Sequence, residues 1–160
     1  MPLQVLDIIE GTSVDGVGLR TSIYFAGCRH HCPSCHNPQS WDHAAGRQME
    51  IDEILKVVDE NECNVTFSGG DPMEQAERLL PLARAIRERG YTIWCYTGYT
   101  YDEILDNPRL SPLLEYIEVL VDGRFIADRR DISLRFRGSS NQRLIDVAAS
   151  SRDDIRLWCP

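Results

Sequence analysis

The chain has 160 residues, of which 42% are apolar, and 25 acidic against 17 basic side chains give it a formal charge of -8 at pH 7. That length suits one domain with a single core and falls short of the roughly 250 residues of a complete (βα)8 barrel. The acidic balance argues against general affinity for nucleic acid, apolar stretches such as Ile117 to Val121 fall far below the roughly 18 residues of a membrane span, and no basic region followed by an apolar core opens the chain, so a cytoplasmic protein is expected.

Leu3 to Ile9 is mostly apolar and suits a strand, and Gly11 to Gly18 has turn composition. Arg20 to Ala26 alternates, is rich in β-branched and aromatic residues, and runs as a strand straight into Gly27-Cys28. Ile51, Ile54, Leu55 and Val58 recur at i, i+3, i+4 and i+7, which is one face of an amphipathic helix. Asn64 to Ser68 reads as a short strand. Asp71-Pro72-Met73-Glu74 then supplies an N-cap, a proline at the first helical position and an acidic residue at the third. The helix it opens has Met73, Ala76, Leu79, Leu80, Ala83 and Ile86 on its expected buried face, and Gly90 stops it before a strand from Tyr91 to Tyr96. Thr100-Tyr101-Asp102-Glu103 is a capping box for a short helix that ends near Asn107-Pro108, and Ile117 to Val121 is the next strand.

Strands separated by helical patterns in this way have the rhythm of βαβ units and a mostly parallel sheet, an open α/β sheet or a partial barrel. Ligands of such sheets gather at the carboxyl ends of the strands. Those ends carry Gly27-Cys28, Ser68-Gly69-Gly70, Thr97-Gly98 and Asp122-Gly123.

Six cysteines are present, and three of them, Cys28, Cys32 and Cys35, form C-x3-C-x2-C within one tight loop. A structural disulfide framework is not the expectation for a chain that can build its own core. Two metal readings stand beside that of unligated cysteines. Zinc needs a fourth ligand, which His36 or one of His30, His31 and His43 could supply. An iron-sulfur cluster can be held by three thiolates, leaving one iron open. Cys63, Cys95 and Cys159 make no second motif, and Cys95, inside Ile93-Trp94-Cys95-Tyr96, reads as a small buried hydrophobe.

The triad directly after a strand, followed about 35 residues later by Ser68-Gly69-Gly70-Asp71, resembles the signature of the radical S-adenosylmethionine (SAM) superfamily. Glycines at such a place let backbone carbonyls approach an ammonium group that a Cβ would obstruct. Asp15-Gly16-Val17-Gly18-Leu19-Arg20, Cys35-His36-Asn37-Pro38 with Trp41, Tyr96-Thr97-Gly98-Tyr99, Val121-Asp122-Gly123-Arg124-Phe125 and Arg137-Gly138-Ser139-Ser140-Asn141-Gln142 narrow the likeness. Together they resemble the anaerobic ribonucleoside-triphosphate reductase activating family, from about residue 4 to residue 147. Ser34 stands where the superfamily often has an aromatic residue and Asp71 where many members have Glu, both as in the reductase-activating subgroup.

The resemblance implies a single radical SAM domain over residues 1–160, with the fold of an abbreviated partial (βα) barrel. It implies a [4Fe-4S] cluster on Cys28, Cys32 and Cys35, with an open iron for SAM, and SAM contacts from Ser34, His36, Gly69 and Gly70. It implies reductive cleavage of SAM and a glycyl radical raised on the partner, the anaerobic ribonucleoside-triphosphate reductase, with a flavodoxin- or ferredoxin-type electron donor. Asp71 fits either an N-cap or a ligand, and Thr97 and Asp122 fit either site or turn chemistry. Arg135, Arg137 and Arg143, in the Arg-rich segment 124–143, fit partner docking, the SAM carboxylate or a solvated surface. Two other functions stand beside this one: a small radical SAM enzyme acting on a metabolite, similar to carboxy-deazaguanine synthase, and a non-enzymatic zinc-binding interaction module.

Overall fold

Seven strands form one mixed sheet in the computed structural model, which describes residues 2–35 and 37–159. They are β1 (Leu3–Thr12), β2 (Arg20–Phe25), β3 (Arg47–Met49), β4 (Asn64–Gly69), β5 (Ile93–Tyr96), β6 (Val119–Asp122) and β7 (Arg143–Asp146), in the spatial order β3-β1-β2-β4-β5-β6-β7. The central run β2-β4-β5-β6 is parallel throughout. Antiparallel strands flank it, β1 and β3 on one side and β7 on the other. The expected rhythm of parallel strands is therefore the core of the sheet. The short flanking strands β3 and β7 have no counterpart in the sequence reading, because three or four residues, half of them polar, carry no periodic signal.

The period-two alternation of the strands sorts side chains onto two faces with different fates. Ile23, Phe25, Val65, Phe67, Ile93, Cys95 and Leu120 all enter the main core beneath α1 (Ile51–Asn61) and α2 (Ala76–Glu88). Cys95 is fully buried there, the small hydrophobe expected, and burial pushes its thiol well above the usual value. The other face, followed across the register, presents Ser22, Tyr24, Thr66, Ser68, Trp94, Tyr96, Val119 and Val121. Among the described residues no α-helix joins the cluster built on that face, where Trp94, Val119 and Val121 pack with Phe136, Leu144 and Trp158, the last three from the chain after β6. Helices on one side and loops on the other make the sheet a partial barrel whose inner face is covered by the chain after β6 rather than by helices.

Local chemistry sets the helix ends. A capping box between Glu50 and Glu53 opens α1, and the backbone leaves it through Glu62 in the left-handed region at φ 50°. Asp71 does act as an N-cap, accepting from the Met73 amide at 3.0 Å, but what it caps is a 3-10 turn, Pro72–Gln75, and α2 begins only at Ala76. The tighter turn buries Gln75. Its side chain exchanges hydrogen bonds of 2.9 Å with both backbone groups of Gln4 and donates to the Ala26 carbonyl at 3.1 Å, tying the helix entry to β1 and to the end of β2. On α2 the buried face is Ala76, Leu79, Leu82, Ala83 and Ile86, with Leu80 only partly covered. Thr100 forms the expected capping box with Glu103 and opens α3 (Tyr101–Leu105).

Candidate functional site

All four parallel strands end at one edge, and the loops that leave them meet there. The loop after β2 folds back on itself: Gly27 N donates to Ser40 O at 2.8 Å, Cys28 N to Trp41 O at 3.2 Å, and Cys35 N to Cys32 O at 3.1 Å. His31 and Ser34 adopt left-handed backbone, φ 47° and 61°, at the reversals, and the His31 ring stacks on Trp41 at 4.4 Å. This winding sets Cys28, Cys32 and Cys35 around a cavity of about 360 Å3 that Ser68, Gly69, Gly70, Tyr24 and Tyr96 also line. That volume lies within the ~300 to 1,000 Å3 of small-molecule sites.

The residues expected to touch a cofactor separate into three groups. Cys28, Cys32, Cys35, Gly69 and Gly70 come together on the cavity wall. Ser34 is exposed and is not among the lining residues. His36 lies outside the described residues. The two glycines are held by a constraint different from the one expected. A Cβ on Gly69 would meet the backbone of Phe25 at 2.3 Å, and one on Gly70 would meet Gly27 O at 2.5 Å, so neighbouring chain fills the space that the missing side chains leave.

Asp71 is the hub of this edge. Fully buried, it accepts from Met73 N through Oδ1, and through Oδ2 from Thr97 Oγ1 at 3.0 Å, Gly98 N at 2.9 Å and His30 Nε2 at 2.8 Å. Four hydrogen bonds to the carboxylate come from within the protein, the N-cap bond among them. His30 sits in the cysteine loop with a side chain that is only 2% exposed, and its ring occupies the space a Cβ would fill on Gly98. Arg124 Nε donates to His30 Nδ1 at 3.1 Å, so the ring proton is assigned to Nε2 and faces Asp71. Sequence reasoning considered His30 only as a metal ligand. Thr97 also accepts from Tyr99 N at 3.1 Å, which is turn chemistry, and Asp122 pairs with Arg143 through contacts of 3.1 and 2.6 Å while accepting from Tyr101 N.

Tyr24 and Tyr96, absent from the sequence reading of the site, reach the cavity because they share the inner face of the sheet. Tyr24 donates its hydroxyl to Asp15, and burial raises the phenol strongly. The signal that could have found both tyrosines is their even spacing from Arg20 and Trp94 on strands that end at the site.

The donor set fits an iron-sulfur cluster. Six cysteines are free, and burial pushes Cys28 up to about 11 and raises Cys32, so metal binding would release thiol protons here. No three His, Cys, Asp or Glu side chains among the described residues converge on one ion. The described histidines that could complete a zinc site are engaged elsewhere, His30 with Asp71, His31 with Trp41 and His43 with Glu74.

Comparison with known proteins agrees with this donor set. Residues 14–145 match the model of the "4Fe-4S single cluster domain" family. The chain is 37% identical over 139 residues to the anaerobic ribonucleoside-triphosphate reductase-activating protein of Haemophilus influenzae, covering 81% of this chain and 88% of that protein. The protein of the same name from Escherichia coli K12 is 37% identical over 140 residues, covering 81% and 89%. A pyruvate formate-lyase-activating enzyme from Clostridium pasteurianum is 37% identical over 121 residues, but only 50% of its length is covered. Among solved structures, QueE from Escherichia coli superposes with a TM-score of 0.55 at 16% identity, covering 76% of this chain and 70% of that one, a likeness of fold. The chain is a 4Fe-4S single cluster domain protein and belongs to the family of anaerobic ribonucleoside-triphosphate reductase-activating proteins.

Proposed function

We propose that this chain activates an anaerobic ribonucleoside-triphosphate reductase by raising a glycyl radical on it, using a [4Fe-4S] cluster and SAM. The observation that carries the reading is the meeting of Cys28, Cys32 and Cys35 with Gly69 and Gly70 on one cavity wall, in a chain 37% identical to reductase-activating proteins. Reductive cleavage of SAM is the chemistry that the bound cluster supplies, giving methionine and a 5'-deoxyadenosyl radical able to take a hydrogen atom from a glycine Cα.

The chain's own residues hold and shield. Cys28, Cys32 and Cys35 would bind three irons, and Gly69 and Gly70 would offer backbone to the SAM ammonium, with His36 as a further contact. The bond from His30 to Asp71 pins the cysteine loop to the ends of β4 and β5, and Tyr24 and Tyr96 limit water on the inner face. We place the protein in the cytoplasm, acting as one unit and reduced by a flavodoxin- or ferredoxin-type donor. The test is to mix the loaded, reduced chain anaerobically with SAM and such a reductase, and to follow the glycyl radical by electron paramagnetic resonance. The doublet of a glycyl radical should form, and Cys28→Ala, Cys32→Ala and Cys35→Ala should each abolish it. Cleavage of SAM without a glycyl radical would overturn the assigned target.

A further inference from the structure

Between β6 and β7 the chain builds an arm that stands outside the cavity of the three thiols. It leaves the cavity wall at Phe125, turns through Ala127–Arg129 and returns to the wall at Arg137 and Gly138. Backbone contacts fix its two legs: Arg130 and Ser139 form an antiparallel bridge, Ser140 N donates to Arg129 O at 2.9 Å, and Asp131 N donates to Gly138 O at 3.2 Å. Ser139 is fully buried at the base, where its Oγ accepts from Ile126 N at 3.2 Å. Phe136, in left-handed backbone at φ 61°, secures the returning leg by packing its ring on Trp94 at 5.2 Å. The arm is therefore held in shape without being covered, for residues 126–133 are all exposed.

What the arm displays is cationic and apolar. Six arginines stand against Asp128 and Asp131 between residues 124 and 143, in a chain whose formal charge is -8. Asp131 is engaged by Ser133, whose N and Oγ donate to it at 2.9 and 2.5 Å. Arg129, Arg130 and Arg135 have no carboxylate within ion-pair distance among the described residues, whereas nine other arginines do. Arg129 is steadied by a bond from Nε to Ser140 Oγ at 2.9 Å, and Arg135 lies over the Phe136 ring. Ile132 stands between them and is 90% exposed, the most exposed large hydrophobic side chain among the described residues. Holding an isoleucine in water gains nothing for folding. An apolar anchor beside arginines on an ordered element is instead the make-up of a protein interface, and its prior order lowers the entropic cost of binding.

We propose that this arm docks the protein substrate, seating Ile132 in an apolar recess of the reductase with acidic side chains of the reductase opposite Arg129, Arg130 and Arg135. The reading rests on the proposed function and names the surface that holds the partner. Place and charge both choose this occupant. The legs of the arm are part of the cavity wall, so a protein that brings a glycine to the cavity lies against the arm, and its unpaired cations call for carboxylates. The test measures binding of the cognate reductase to the anaerobic cluster-loaded chain by calorimetry, without reductant, and then the reductase concentration that half-saturates glycyl radical formation. Ile132→Asp should weaken the complex by about 30-fold, the size of an interface hot spot. Arg129→Glu combined with Arg130→Glu should weaken it too and flatten its salt dependence, because salt screens the attraction that these charges supply. Both variants should raise the half-saturating concentration while iron per chain and SAM affinity stay at the wild-type level. Reductase binding equal to wild type in both variants would overturn the docking arm and leave the proposed function standing. A parallel loss of iron or of SAM affinity would mean that the arm only shapes the cavity, and would overturn the assignment. Self-association of the free chain that Ile132→Asp abolishes would give the arm to a second copy and overturn it as well. Failure of the loaded wild-type chain to bind the reductase would overturn both the arm and the assigned target.

Discussion

Asp71 shows how one side chain carries more than its local sequence states. Its place before Pro72 announces an N-cap, and the Met73 amide duly donates to it. Its other donors, His30, Thr97 and Gly98, stand 41, 26 and 27 residues away, and no local pattern announces them. An N-cap alone is worth about 1 kcal/mol. Asp71→Asn would turn an NH2 group toward at least one of these donors in a fully buried setting, so we expect a loss of about 2 to 4 kcal/mol in chemical denaturation. Because Asn caps about as well as Asp, no measurable loss would mean that the contacts to His30, Thr97 and Gly98 contribute nothing beyond the cap. The cysteines, by contrast, were legible because all three fall within eight residues of one loop. The arrangement around them was not, since His30, Tyr24 and Tyr96 reach the cavity through long-range packing of the strand ends.

At the scale of elements, helices and parallel strands could be read because each has a periodic apolar face or a capping signal, as Thr100 and Glu103 show. The start of α2 is displaced by one turn because Asp71-Pro72 opens a 3-10 turn that Gln75 locks to β1. Glycines separate two kinds of constraint. Gly90, at φ 88°, has no atom within 4 Å of where a Cβ would stand, so Gly90→Ala should cost only the left-handed backbone strain of about 1 to 2 kcal/mol and leave iron loading intact. Gly70→Ala would drive a methyl group to within 2.5 Å of Gly27 O and 2.7 Å of Ser40 O, both in the loop that carries the thiols. That substitution should cost about 3 kcal/mol and sharply lower the iron bound per chain after reconstitution. Thermal melts with iron analysis check both, and equal iron loading in the two variants would contradict the packing account.

Across the whole molecule, the division of labour follows from which sheet face receives helices. The helix-covered face makes the core, and the inner face, with Arg20 buried against Thr66, Val65 and Trp94 at one level and Tyr24 and Tyr96 at the next, leads up to the cavity. Composition and rhythm sufficed to place an open α/β sheet or partial barrel with a parallel core. They did not reveal that the outer strands run antiparallel or that the chain after β6 returns to cover the inner face, because those segments are held by tertiary contacts such as Trp94 with Trp158 at 5.1 Å. The most direct test of the account is the release of 5'-deoxyadenosine by the reconstituted, reduced chain supplied with SAM and the reductase, with Cys32→Ala as control. The account predicts product from the wild-type chain and none from the variant; a fully loaded wild-type cluster that leaves SAM intact beside the reductase would contradict it.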